Sequence, residues 1–422
     1  MTERKTMSTV RPFKATYYNQ KKIRTLTNVV CPPYDVISAE YERTLKKRSA
    51  YNYVNIILRD ENTTYQDLAR RLNDWLAAGV LVDDPDEAFY LVEQEYTVNG
   101  KKFCRRGFLG AIKLTGDHAI HAHEKTHAKP KVDRLKVIKA VKANLSPSFI
   151  IYPKNKQEPV QLLLKRMRRQ KPFASVYDGN EKTTYRMWKV SAPADIERIV
   201  SYFDGLPLMI ADGHHRTEVA RAYYEMQKGK KNPALNYMMA YFSPIDSDLT
   251  VFPTHRVYTH AVDIDALISE AGKLFSVNRC KNAVEAAEFV GKQKKFAFAA
   301  CQRGRCTAFV LKDKSSLDNV FRSKEDKPYR QIDSFLLHHL VFDKIIGIHP
   351  KEGELLYTID PRKAVALAKE HDGCAFIIKA TSIQEIMDVS VKGLTMPQKT
   401  TYFYPKFLSG LLLRRHAVDK QK

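Results

Sequence analysis

PLMIADGHHRTEVARAYYEM, residues 207–226, is the stretch on which the reading of this 422-residue chain turns. The apolar run 208–211 has the length and bounds of a buried strand, Gly213 marks a turn, and Val219, Ala222, Tyr223 and Met226 then share one face of a helix. Such a strand delivers Asp212, Gly213, His214, His215 and Arg216 onto a helix start. Backbone N–H groups, two imidazoles and a guanidinium are thereby gathered at the positive end of a helix dipole, which in principle is an anion site. Gly213 lets the backbone approach a phosphate closely, and Arg216 can grip two phosphate oxygens at once. The plainer alternative is a helix capped by Asp212 with two surface histidines.

Upstream, His123-Glu124-Lys125-Thr126-His127 fits the zinc-protease pattern H-E-x-x-H. That chemistry needs both histidines one turn apart on a continuous helix. Pro130 is expected to push Lys129 out of helical geometry, and HAIHAHEKTHAK has little apolar surface to seat a core helix. The reading therefore prefers Glu124 as a carboxylate in a phosphate site and assigns no metal ligands. Beyond the loop, Val132, Leu135, Ile138 and Val141 predict a helix, ended by Pro147 before the buried strand SFIIY.

The rest of the chain is organised around this core. Residues 1–110 read as an N-terminal α+β region: CPPYDVI is extended by its double proline, a helix opens at Thr63 with Gln66 at capping-box spacing, and Asn99-Gly100 joins two strands as a hairpin. Residues 111–260 form the central core. From 261 to 422 a C-terminal α+β domain follows, with helices at DIDALISEAGKLF, IDSFLLHHLVFDKII, RKAVALAKE and SIQEIMDV and strands at KFAFAAC, CTAFVLK, ELLYTI and CAFIIKA.

Composition bounds the class. Hydrophobic residues make up 44% of the chain, enough to bury more than one core, so wholesale disorder is excluded. The longest apolar runs fall far short of the roughly 18 residues a membrane span needs. MTERKTMSTV has no apolar signal region, and six scattered cysteines read as reduced thiols. A cytoplasmic protein with no membrane partner is expected. The formal net charge is +23, and the segment from Lys125 to Lys171 alone carries +12. Such a field attracts polyanions, either nucleic acid or the phosphates of a nucleotide.

The order loop HEKT, helix DRLKVIKAVKA, strand SFIIY, strand YRMWKV, strand LMIADGHHR, helix TEVARAYY resembles the ParB/sulfiredoxin fold, whose phosphate-binding turn has the form DGHHR. RPF (11–13), CPPYDVI (31–37), RRGF (105–108), HEKT (123–126), DRL (133–135), ANLSP (143–147), ADGHHR (211–216), PTHR (253–256) and MPQKTTYFYPK (396–406) occur in the order seen in domain-of-unknown-function family 1015. The resemblance covers nearly the whole chain. It implies an α+β protein whose 111–260 region is a ParB/sulfiredoxin-like nucleotide-binding catalytic core. It further implies a free serine kinase, converting ATP and L-serine to ADP and O-phospho-L-serine, with ATP or ADP as phosphoryl donor and Mg²⁺ as cofactor. By the same resemblance, Asp212, Gly213, His214, His215 and Arg216 hold the phosphates and Glu124 is the general base. Asp35, a second carboxylate on the proline-fixed turn PPYD, is the next catalytic candidate, its role not settled by the resemblance. His123, Thr126, Arg134 and Arg256 are candidate pocket residues. No Walker A pattern and no protein-kinase H-R-D or D-F-G set is present. The competing reading is a ParB-like nucleic-acid-binding module with a nucleotide as switch; under the kinase reading, nucleic acid binds only weakly and without sequence preference.

Overall fold

The computed structural model describes residues 8–416 apart from 117–119, 123, 125–127, 228–231, 247, 322, 324–328, 393 and 395. The fold is mixed α+β, in two compact units. One draws its described residues from 1–121, 126–249 and 405–422, the other from 122–125 and 250–404.

The first unit is built on a mixed sheet. Its strands run in the order Ile120–His121, Leu208–Asp212, Ser148–Tyr152, Tyr237–Pro244, Lys101–Lys113, Phe89–Val98, Thr183–Val190, Ala174–Asp178, with Val10–Arg11 also pairing on Lys101–Lys113. The central hairpin closes where predicted: Val98 pairs with Lys101, and both Asn99 and Gly100 adopt positive φ, as a two-residue type I′ turn demands. Leu91, Val92, Phe108 and Ile112 are fully buried along it, and Phe108 stacks on Phe242 at 4.7 Å. The helix expected from Thr63 starts one residue later: Thr64 caps Tyr65–Ala77 and forms its capping box with Asp67. The helices Ala128–Val141 and His214–Gln227 share an apolar cluster of Ile138, Val219, Tyr223 and Leu235. Contrary to the expectation for Pro130, helix begins at Ala128. The proline falls in the first turn, where its missing N–H costs no intrahelical bond.

The second unit holds an all-antiparallel sheet in the order Phe275–Cys280, Arg305–Leu311, Ala297–Gln302, Cys374–Ile378, His255–Tyr258, Leu355–Thr358. One face is small and apolar, with Ala297, Ala299, Ala308 and Ala375, which lets the helices Ala283–Gly291 and Pro361–Glu370 approach closely. The other carries Phe298, Phe309 and Phe376, against which Phe342 packs at 4.8 Å from Phe376. The helix predicted over 332–346 is α-helical only at Asp333–Leu336 and continues as a π-helical segment, Leu337–Ile346. The reading of six reduced thiols is corrected here. Cys301 and Cys306, opposed across a hairpin with Cα atoms 4.2 Å apart, are joined as a disulfide, while Cys31, Cys104, Cys280 and Cys374 are free. No helix among the described residues is long and apolar enough to cross a membrane.

Candidate functional site

Asp212 ends the strand Leu208–Asp212, and Gly213 turns the chain with φ +92° directly into the helix His214–Gln227. His214, His215 and Arg216 therefore occupy its first turn, where N–H groups lack intrahelical partners. The Gly213 carbonyl accepts the Thr217 N–H at 2.9 Å, and the Ser148 and Thr217 hydroxyls, 2.9 Å apart, pack beneath the turn. His214 is buried and His215 half-buried, so the alternative of two surface histidines does not describe this turn.

The charges are held by a connected set of bonds. The Arg216 guanidinium donates to the Pro147 carbonyl and to Asp212 Oδ2, while Lys406 Nζ donates to Asp212 Oδ1. Within this trio two cations face one carboxylate. Lys406 itself is fixed from the sheet: Arg105 Nη2 donates to the Pro405 carbonyl at 2.6 Å and the Tyr185 hydroxyl to the Lys406 carbonyl at 2.8 Å. Arg105 is fully buried between Phe149 and Tyr241, so RRGF contributes a core anchor.

Arg216 also lines a pocket with Tyr34, Arg134, Asn144 and Ser146, whose walls are Ile57, Val137, Leu145, Val219 and Met238. Arg134 lies 4.3 Å from the Tyr34 ring centre and donates to the Ile57 carbonyl at 2.7 Å and to Asp133 at 2.9 Å. Burial, reinforced by Asp35, pushes the Tyr34 hydroxyl up to about 12 against the opposing pull of Arg216 and Arg134. At neutral pH it is a donor. Asp35 sits beside it on the exposed turn Tyr34–Val36.

Glu124 and Arg256 belong to the second unit. Glu124 bridges to Met396 in extended conformation and accepts the Lys399 N–H at 2.8 Å. Because it is not helical, the continuous helix that H-E-x-x-H requires is not formed at this residue. Arg256 is fully buried; burial pulls its guanidinium down to about 10, opposed by Tyr357 and Glu124. It donates to the Thr254 carbonyl and, at 3.4 Å, to that of Gln398. His123 and Thr126 lie outside the described residues, as does His127. Among the described residues no group of three or more His, Cys, Asp or Glu is placed to hold a metal ion.

Lys406, Ser148, Thr217 and Tyr34 were not singled out from sequence. Their only signals were YPK closing the 396–406 motif, the serine after ANLSP, the threonine following DGHHR, and the tyrosine of PPYD.

Fold and site together define an α+β protein with a strand–glycine–helix turn beside a pocket lined by Arg134 and Arg216. By sequence the chain belongs to the family described as protein of unknown function (DUF1015), which matches residues 10–335. No curated protein matches the sequence. Among solved structures it is similar to a conserved hypothetical protein from Pyrococcus furiosus, at 17% identity and TM-score 0.33, covering 70% of this chain and 91% of that one. It is similar to a free serine kinase in complex with AMP, at 17% identity and TM-score 0.32, covering 69% and 86%. A third likeness is to SbnI with C-terminal truncation from Staphylococcus aureus, at 12% identity and TM-score 0.36, covering 71% and 85%.

Proposed function

We propose that the protein is a cytoplasmic nucleotide-dependent phosphotransferase of ParB/sulfiredoxin-like fold over 111–260, which phosphorylates the hydroxyl of a free amino acid, L-serine first among candidates, with ATP or ADP as donor. The observation that carries this is the trio Arg216–Asp212–Lys406 at a helix N-terminus. Two cations set on one carboxylate at a helix N-terminus suit an anion, and phosphate oxygens match both the guanidinium fork and the helix amides. The pocket beside Arg216 suits the rest of a nucleotide, with apolar walls for a base and Arg134 for a second phosphate contact.

In this reading the chain does what phosphoryl transfer mainly asks: it positions reactants and neutralises developing charge. Gly213 and the first helical turn cradle the phosphates, and Arg216 and Lys406 face them. Asp212, itself an anion, acts by orienting those two cations. Asp212 is thereby a poor ligand for Mg²⁺, which would be carried largely by nucleotide oxygens and water and would supply further charge neutralisation when bound. Glu124, oriented by the Lys399 N–H, is the proton acceptor for the substrate hydroxyl; such a base contributes roughly 10²- to 10⁴-fold.

The test is consumption of ATP, and separately of ADP, by purified protein against a panel of hydroxyl amino acids and small alcohols. Turnover only when a hydroxyl amino acid is present is expected. Glu124→Gln should lower turnover by about 10²- to 10⁴-fold with nucleotide affinity nearly intact. No consumption of either nucleotide with any acceptor rejects the reading, and full turnover by Glu124→Gln moves the base elsewhere, to Asp35 first.

A further inference from the structure

The second unit carries a row of sulfur atoms that the phosphate chemistry does not use. In its sheet Cys306 is directly opposite Cys301 on one side and Cys280 on the other. Directly opposed residues on neighbouring strands project to the same face. All three cysteines are buried in one apolar cluster beneath the helices Ala283–Gly291 and Pro361–Glu370. Cys374 is turned away: its neighbour Ala375 stands opposite Cys301, so alternation sends Cys374 to the other face.

The hairpin register decides which pairs can bond. Arg303 and Gly304, both at positive φ, form a two-residue turn closed by Gln302 and Arg305. The next pair, Cys301 and Cys306, is therefore a non-hydrogen-bonded one, and its disulfide is formed. On the opposite side of that strand the pattern inverts, and Cys306 and Cys280 are a hydrogen-bonded pair. Such pairs have Cα atoms about 5.5 Å apart, within the separation a disulfide spans. Cys306 thus has two eligible partners.

We propose that Cys280, Cys306 and Cys301 form a site of reversible thiol oxidation in which one disulfide moves between two cross-strand pairs. Cys280, deprotonated to solvent, attacks Cys306 Sγ. The Cys280–Cys306 bond forms, the Cys306–Cys301 bond breaks, and Cys301 leaves as a thiolate that takes up a proton. One disulfide and one thiol stand on each side of the step, so it needs no oxidant. Two-electron entry and exit use a small thiol/disulfide couple such as glutathione, reaching the row through Cys280. That residue ends the edge strand, which pairs with a neighbour on one side only and frays first. Burial, aided by Glu285, raises the Cys280 thiol above its ordinary range, so exchange quickens as pH rises. The two positions differ in consequence: the Cys301–Cys306 bond joins strands already tied by a tight turn, whereas a Cys280–Cys306 bond staples the edge strand and closes a longer loop.

The experiment uses the full chain equilibrated in glutathione redox buffer at neutral and alkaline pH, acid-quenched, alkylated, digested with trypsin without reduction and read by mass spectrometry. The diagnostic peptides are 296–303 joined to 306–312, and 280–281 joined to 306–312. Wild type should yield both, the second forming faster at alkaline pH, with Cys374 alkylated throughout. Cys301→Ser, matched to wild type by circular dichroism, should yield only the second peptide, and Cys280→Ser only the first. Absence of the 280–306 link in folded Cys301→Ser, under conditions that oxidise wild type, overturns the proposal. Should that variant not fold, its absence in wild type equilibrated at alkaline pH overturns it equally.

Discussion

Gly213 holds φ at +92°, and a Cβ added there would lie 2.9 Å from the Ser148 hydroxyl and 3.0 Å from the Arg216 guanidinium. Gly213→Ala should therefore cost about 1–3 kcal/mol of stability through backbone strain and displace Arg216 from its partners. Urea unfolding reads the first effect and nucleotide titration the second; a variant unchanged in both would show that the turn tolerates a side chain. Arg216→Ala should weaken nucleotide binding by about 1.5–3 kcal/mol, the worth of hydrogen bonds to a charged group, and Arg216→Lys should recover only part because an ammonium lacks the fork. Unchanged nucleotide affinity in folded Arg216→Ala would remove the cradle. At this scale the sequence was informative where residues are contiguous: the strand, the glycine and the arginine stand together in ADGHHR. Lys406 was not readable as part of the turn, because 194 positions separate it from Asp212 and local spacing carries no information about that meeting.

Secondary elements with large apolar periodicity were legible, and those without it were not. The strand Phe275–Cys280 is exposed along most of its length and the helix Ala283–Gly291 buries small side chains, so neither offered the bulky alternation or stripe that marks an element. Packing also sets the titration of elements in the second unit. His255, whose Nδ1 accepts the Ile378 N–H at 3.4 Å, is pushed down to about 4 by burial, and His338 on the π-helical segment to about 3, with Arg256 contributing to both. Both are neutral when folded but titrate near 6.5 when unfolded, so the stability they give is present above about pH 6.5 and is lost as pH falls through 4 and 3. Asp333 runs oppositely. Burial holds it up to about 7, against the pull of Lys379 3.4 Å away, so its contribution is present at low pH and lost as pH rises through 7. Between about pH 4 and 6.5 the effects oppose, each group contributing at most about 1.4 kcal/mol per pH unit. Asp333→Asn should therefore gain stability more steeply with pH across that interval than wild type does, as read by denaturant titrations at stepped pH. Equal slopes would show that Asp333 ionises in the ordinary carboxylate range.

For the molecule as a whole, the charge counted along one stretch overstates the field it presents to a polyanion. The sequence places +12 between Lys125 and Lys171, but in the first unit that stretch meets acids from distant parts of the chain: Lys131 with Glu218, Lys154 with Asp246, Arg166 with Asp195 and Arg168 with Glu93. A count along the chain cannot see these pairs, since each acid lies outside the counted window. Screened and partly neutralised, the remaining bases should hold duplex DNA through only a few phosphates. The log–log dependence of affinity on salt has a slope of about −0.9 per phosphate contacted, so a slope no steeper than about −3 is expected, with binding gone by about 0.15 M salt. No dependence on sequence should appear, because phosphate contacts position a protein without reading bases. Charge reversal at the exposed Asp246 (Asp246→Lys) would free Lys154 and add a base, and should steepen the slope if these ion pairs are what limit the field. Fluorescence titrations of random and varied duplexes over a salt series decide the matter. Tight, sequence-selective binding that persists at 0.15 M salt would instead mark a dedicated nucleic-acid surface and displace phosphoryl transfer as the reading of this chain.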